Sequence, residues 1–463
     1  MSNRQPALSP SSVRRRPIRP VRLGAALVIS LSLVAAACGR DDETTTDGGN
    51  SSETTAPGAA AFIDPAKDCL EGYEPTKGVN GTEILVGTVR PTTGPARIYD
   101  TVTKGLEKYF ESVNAKGGVK AGDGTSYTIK LVKGDDGYDP GKTPGVVQSL
   151  VETDGIFAMV GQIGTETNEA VKSYMNTKCV PSIGLSTGSP GWGQNNTSPW
   201  YIGGLPSYAL EAGAFLDFYS KTKPEAKIAL LYQNDDFGKA YQGAIKKWIT
   251  DNNSKITLVA EQPYDATSSQ TTEAATAELA GSGADLFFVG IGGSQCPITL
   301  TFIPATWTPD VYTSITCSGK LALSLAQGKD EGIYSTQATL DPASAEDQTN
   351  AKVQAFLTDG AAVGLTKDEL EGGIVSVGWG LGALFARSLE LSPKMTRADV
   401  MNTLWQFDGE QVGLFRDGVP LTTDNDVDPW LIEAMRVVKR TGGQWVEAGP
   451  IVDYAGTSNS FAS

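Results

Sequence analysis

Two successive series of apolar runs, each run followed by a stretch with helical spacing, constrain this chain more than any other feature. In the first series Glu83 to Val89 is a continuous apolar run and reads as a buried strand. Val102, Leu106, Phe110 and Val113 then recur at helical spacing. Further strands are predicted at Tyr127 to Lys133, Gly155 to Gly161 and Val180 to Leu185, with helices after Pro140 and over Glu166 to Met175. The second series begins at Lys227. It predicts strands at Ile228 to Tyr232, Ile256 to Ala260, Asp285 to Ile291, Asp310 to Cys317 and Gly332 to Thr339. Helices fall between them, one marked by Ala240, Ala244, Ile245 and Trp248 and one over Thr271 to Ala280. Strands that alternate with helices form parallel sheets covered on both faces. The expected fold class is therefore α/β, with two doubly wound parallel-sheet lobes. From Ala345 onward the chain reads as helices over Ala345 to Thr358, Leu370 to Leu391 and Thr396 to Phe407, then strands near Trp430 to Val438 and Gln444 to Glu447. These are too few for a third core and are expected to complete the two lobes.

Charge and composition narrow the function. The net charge is −15, and six arginines with no acid precede Cys38, so the remainder is more acidic still. Such a surface repels phosphate backbones, which argues against a nucleic-acid partner. The chain has no histidine. That removes the commonest general base and metal ligand, and with them Ser-His-Asp and Cys-His nucleophiles. A hydrolase built on a pair of carboxylates stays open.

The N-terminal stretch reads as a targeting segment. A basic run from Arg14 to Arg22 precedes Leu23 to Ala37, fifteen uncharged and mostly apolar residues. That is short of the roughly 20 residues a helix needs to span a bilayer. It ends in Ala35-Ala36-Ala37, as a signal-peptide cleavage site would. The alternative, a buried core helix, fits poorly beside an arginine-rich flank. The string LVAAAC resembles a bacterial lipobox, which implies acylation of Cys38 and anchorage to the cell membrane. Residues 1–37 are thus expected to be a signal peptide and 38–61, rich in Asp, Thr, Ser and Gly, a flexible acidic tether.

Cys69, Cys179, Cys296 and Cys317 remain, an even number in an exported chain, with three ways to pair. Cys296 with Cys317 is favoured, because each lies near the end of a predicted strand in one domain. That leaves Cys69 with Cys179. Free buried thiols are the alternative. The ends of the predicted strands carry short polar or glycine-rich turns: 90–94, 162–167, 186–189, 234–238, 292–295 and 316–319. Ligands in α/β sheets bind beyond such carboxyl ends, so a cleft between two lobes is the default site.

At these turns the chain resembles a known family, the type I periplasmic-type binding proteins of ABC importers, in the leucine/isoleucine/valine-binding branch. The strings TVRPTTGPARIYD, VNAKGGVKAG, GDDGYDPGKT, and MVGQIGTETN with VPSIGLSTGSP carry the resemblance in order, and LLYQNDDFGKAY adds support in the second lobe. It implies two lobes joined by three hinge crossings, near Gly204, Thr339 and Asp424. Lobe 1 would then comprise residues 62–204 and 339–424, and lobe 2 residues 205–338 and 425–463. The resemblance also implies a monomer that hands a small solute to an ABC permease in the membrane, with no cofactor and no metal.

The site residues follow from the same match. Thr165, between a strand and a helix, matches a hydroxyl residue that binds the ligand carboxylate; an N-cap role is the alternative. Ser186, Thr187 and Gly188 match a loop that supplies a backbone group and a hydroxyl. The hydroxyl position aligns nearest Gly188, which shifts that role to Thr187 or Ser189. Tyr99 and Phe237 match aromatics of the first and second lobes. Ser294, Gln295 and Thr316 lie in the second-lobe turns and are expected to offer polar atoms. Where amino-acid binders of this branch carry an acid, after DVYTSITCSG, this chain has none, and Gly290 to Gln295 lacks the family's tyrosine. Glu166 or Asp236 is then the expected anion, and a neutral amide or simple carboxylate suits the site as well as an α-amino acid.

Gly137-Tyr-Asp-Pro-Gly141-Lys142-Thr143 is one residue short of a phosphate loop, and Pro140 lacks an N–H to donate, so it reads as a turn and helix start. Gly378, Gly380 and Gly382 lie in an apolar helix pattern and are expected to serve close packing. Two rival functions stand beside solute capture: an extracellular sensor of the same fold, and a secreted carboxylate-dependent hydrolase with two acids converging in the cleft.

Overall fold

The computed structural model describes residues 62–267, 270–423, 429–457 and 461. The expected signal peptide, Cys38, the tether and the crossing near Asp424 lie outside the described residues. The chain builds two sheets. The first runs, edge to edge, Val119–Lys120, Ser126–Asp135, Glu83–Arg90, Ala158–Val160, Ser182–Leu185 and Tyr201–Gly203. Glu83–Arg90 sits inside it, parallel to Ser126–Asp135 in the register Glu83 to Thr128 and parallel to Ala158–Val160 on its other side. Covered on both faces, it carries the continuous apolar run that its sequence shows.

The second sheet runs Gln444–Glu447, Ala434–Thr441, Tyr334–Gln337, Asp310–Thr313, Leu286–Gly290, Lys227–Gln233 and Thr257–Tyr264. Its last five strands are parallel, and the C-terminal Ala434–Thr441 returns antiparallel to Tyr334–Gln337. The chain leaves the first sheet after Gly203 and enters helix Tyr208–Tyr219, which packs on the second. It leaves the second sheet after Gln337, and helix Val375–Leu391 then packs in the first lobe beside Leu106 and Phe110.

Several elements differ from the sequence reading. No helix was expected at Tyr208–Tyr219, where ten of twelve residues are buried; a helix covered all round has no apolar stripe to read. The helix expected over Leu370 to Leu391 is broken into Lys367–Leu370 and Val375–Leu391, with Gly373 at φ 81° in the gap. The strand expected over Asp310 to Cys317 stops at Thr313, and Ile315–Cys317 coils into a short 3-10 turn after Ser314 accepts from the Thr316 N–H. The helix expected from Ala345 begins at Ala351, capped by Asn350. Both disulfides form, Cys69–Cys179 and Cys296–Cys317.

Helices Asp100–Ala115 and Val375–Leu391 cross at glycines. A Cβ on Gly378 would lie 1.8 Å from the Val102 carbonyl oxygen, and one on Gly105 would lie 2.0 Å from that of Val375. We expect Gly378→Ala to destabilise the chain by about 1–3 kcal/mol through overpacking, more than the roughly 1 kcal/mol that Ala contributes as a better helix former. A lowered denaturant midpoint is the readout; a raised one would show that the helices can separate freely.

Candidate functional site

The carboxyl ends of the two sheets face each other across a cavity of about 390 Å³. From the first lobe, the chain leaves Glu83–Arg90, turns at Gly94 (φ 74°) and enters the short 3-10 turn Pro95–Tyr99. This carries Tyr99 to the rim, where burial raises its phenol pKa. The strand end at Asp135 is followed by Gly137 and Tyr138, both with positive φ. Asp136 holds that turn, accepting from the Tyr138 N–H at 2.9 Å and the Thr143 hydroxyl at 2.8 Å. Gly164 (φ 99°) opens helix Thr165–Thr177; a Cβ there would strike Tyr138, 2.7 Å from its ring.

The second lobe closes over these turns. The Tyr99 hydroxyl accepts from the Gly293 N–H at 2.7 Å and donates to the Thr316 carbonyl at 3.4 Å. The Pro95 carbonyl accepts from the Ser294 N–H at 3.2 Å and its hydroxyl at 3.3 Å. Glu166, in the first turn of its helix, accepts from the Asp236 N–H at 2.7 Å, at the start of helix Asp236–Asp251. A carboxylate there also suits the positive end of the helix dipole. Burial raises the Glu166 pKa, opposed by the Asp236 N–H and reinforced by the charges of Asp236 and Asp235. On another rim the Leu321 N–H donates to the Gly372 carbonyl at 3.0 Å, and Lys320 pairs with Glu371 at 3.2 Å.

Of the residues singled out from the sequence, Tyr99, Ser186, Phe237 and Thr316 line the cavity. Thr165 does not line it: the helix is capped by Gly164, and the Thr165 hydroxyl meets that of Thr187 at 2.7 Å. Gly188 accepts from the Tyr208 N–H at 2.7 Å, and a Cβ on it would lie 2.1 Å from the Pro206 carbonyl oxygen. Glu166 and Asp236 meet each other across the lobes, Ser294 meets Pro95, and the buried side-chain amide oxygen of Gln295 has no partner among the described residues.

Tyr138, Tyr208, Tyr264 and Gly380 line the cavity and were not picked out as site residues. The aromatic in the GDDGYDP turn was the available signal for Tyr138. Beneath the turn that bears Ile315 and Thr316 lies Glu211, fully buried. It accepts from Tyr312 (2.5 Å), Tyr241 (2.8 Å) and the Ile315 N–H (2.8 Å), and burial pushes its pKa up to about 7. Among the described residues no group of three or more acids or cysteines could hold a metal ion, and no helix is long and apolar enough to cross a membrane.

Residues 83–441 match the periplasmic binding protein family. The chain belongs to that family. A curated relative, an amino acid binding protein of Pseudomonas aeruginosa, is 23% identical over 167 residues, which is 35% of this chain and 42% of that protein. The chain thus matches less than half the length of that relative. Two solved structures share the fold of this periplasmic binding protein. One is a possible leucine/isoleucine/valine-binding protein from Rhodopirellula baltica, 21% identical with a TM-score of 0.67, over 81% of this chain and 98% of that one. The other is a branched-chain amino acid ABC transporter protein from Thermus thermophilus with bound valine, 16% identical with a TM-score of 0.71, over 82% and 99%. The type I fold expected from the strand-end motifs is the one found.

Proposed function

We propose that this chain is the extracytoplasmic solute-binding component of an ABC importer, which encloses a small molecule between its lobes and releases it unchanged to a membrane permease. The observation that carries the reading is the 390 Å³ cavity bounded by strand-end turns of both sheets, with hydrogen bonds running from lobe to lobe around it. Ligand in such a gap favours the closed form, and the closed form is what a permease can distinguish from the open one. Asp139 is the single acid lining the cavity among the described residues, and it pairs with Lys142. That arrangement supports binding over carboxylate-pair hydrolysis, which needs two acids at the reacting centre. Valine in the Thermus thermophilus protein supports a small organic solute here.

In this reading Tyr99, Ser186, Phe237 and Thr316 touch the solute. Thr165, Thr187 and Gly188 hold the loop beneath it, and the free amides at the start of helix Thr165–Thr177 favour a carboxylate or carbonyl end. Glu166 with Asp236 acts as a latch. Hinges near Gly204 and Thr339 allow the lobes to part. Acylated Cys38 holds the protein at the membrane; Cys38→Ser is expected to release the chain into the medium, and retention in the membrane fraction would reject the anchor.

The latch supplies the test. Glu166→Ala removes a closing contact that is half-exposed, so its loss should cost about 1 kcal/mol, roughly fivefold in solute affinity. Titration calorimetry reads the affinity, and thermal unfolding without solute should hardly change. Equal affinity in the variant would remove Glu166 from the closing mechanism.

A further inference from the structure

We infer that the solute is a bulky, largely apolar molecule without a cationic group, larger than a branched-chain amino acid. The inference rests on the solute-capture reading above and names the ligand class of the same cavity. Volume comes first. At about 30 Å³ per water, 390 Å³ holds about thirteen waters, in the range of drug-sized ligand sites. An aliphatic α-amino acid would leave much of that space unfilled, and unfilled apolar space is destabilising.

The wall decides the chemistry. Six aromatic rings line it, Tyr99, Tyr138 and Phe415 from the first lobe and Tyr208, Phe237 and Tyr264 from the second. Helix Val375–Leu391 adds one face, Val377, Gly380 and Leu381 with Ser376, whose hydroxyl donates to the Gly373 carbonyl at 3.0 Å. On that helix Gly378 and Gly382 are pressed against Val102 and Tyr109, but a Cβ on Gly380 would meet no described atom within 4 Å. The missing side chain at Gly380 widens the chamber along an apolar helix face. Tyr264, buried, has a hydroxyl with no partner among the described residues, and it offers one neutral hydrogen-bonding point.

A ring-lined cavity can attract a cation as well as an apolar body, so the charges around it matter. Each nearby carboxylate is engaged. Asp139 pairs with Lys142 and accepts from the Gly141 N–H at 2.9 Å. Glu166 takes the Asp236 N–H at 2.7 Å, and Asp235 takes Gln233 at 2.5 Å and the Gly238 N–H at 3.2 Å. Glu211 is held under the floor by two tyrosines and the Ile315 N–H. Lys142, itself a cation, lines the cavity. Asp139, already paired with Lys142, is the one carboxylate on the wall among the described residues, and an ammonium there would meet the Lys142 charge.

The test is calorimetric titration of the full chain with octanoate, 3-phenylpropionate, leucine and 2-phenylethylamine. Both apolar acids are expected to bind with a negative heat-capacity change, leucine at least about tenfold more weakly and the amine not measurably. Gly380→Leu should weaken both acids by about tenfold or more, with no drop in melting temperature. Leucine or the amine binding as well as the acids would overturn the ligand class and leave solute capture standing. Silence from every probe would overturn both. Acids that bind Gly380→Leu at full strength would remove the chamber beside that helix from the account.

Discussion

As pH falls from above about 7 to 4.5, the native chain is expected to gain about 3 kcal/mol of stability relative to Glu211→Gln. The carboxyl is fully buried, and its pKa is pushed up from 4.5 to about 7 because burial penalises the charged form. The folded chain therefore binds this proton more tightly than the unfolded chain does. The contribution is fully present below 4.5 and is lost as pH rises through about 7; glutamine has no such proton. Denaturant unfolding of both proteins across that window measures the widening gap. A gap that stays constant would mean the carboxyl is ordinary. Glu211→Leu goes further, because it removes the shared acceptor of the Tyr241 and Tyr312 hydroxyls, which keep Ser314 and Thr336, and strands the Ile315 N–H; it should cost about 3–5 kcal/mol. The effect reaches the site: the turn that Glu211 holds bears Thr316, whose carbonyl accepts from Tyr99 across the cleft.

Replacing Cys69 and Cys179 together by Ser should cost about 4–5 kcal/mol, the larger of the two disulfide effects. Their separation of 110 residues closes a long loop in the unfolded chain, whereas Cys296 and Cys317 are 21 apart and should give about 3 kcal/mol. Cys179 follows helix Thr165–Thr177, whose start faces the cavity, so the long-range disulfide ties the N-terminal segment to the element that positions Gly164. Guanidinium midpoints of the two double variants give the comparison. A larger loss from Cys296 and Cys317 would show that local packing, and not loop closure, sets these values.

Alternating apolar runs and helical spacing made both sheets legible, because a strand buried on two faces cannot hide its composition. Glu83–Arg90 and Leu286–Gly290 show this. Helix Tyr208–Tyr219 was not legible, since burial on every side erases the stripe that marks a helix. The acids inside YALEAGAFLDFY, Glu211 and Asp217, were its conspicuous letters, and Glu211 is the one buried beneath the site. The site was legible as a set of turns, and Tyr99, Ser186, Phe237 and Thr316 reach the cavity from them. Which side chain faces inward was less so. Thr165 and Thr187 turned to each other, Glu166 went to the opposite lobe's helix, and Tyr138 came in through a left-handed backbone that a turn motif alone does not reveal.

Small-angle X-ray scattering of the full chain, without solute and then at saturation with the tightest binder from the calorimetric panel, addresses the central claim most directly. The account predicts a smaller radius of gyration with solute, as the contacts of Tyr99 with Gly293 and of Glu166 with Asp236 draw the halves together. An unchanged radius at full occupancy would contradict it, for the protein would then hold its solute without closing.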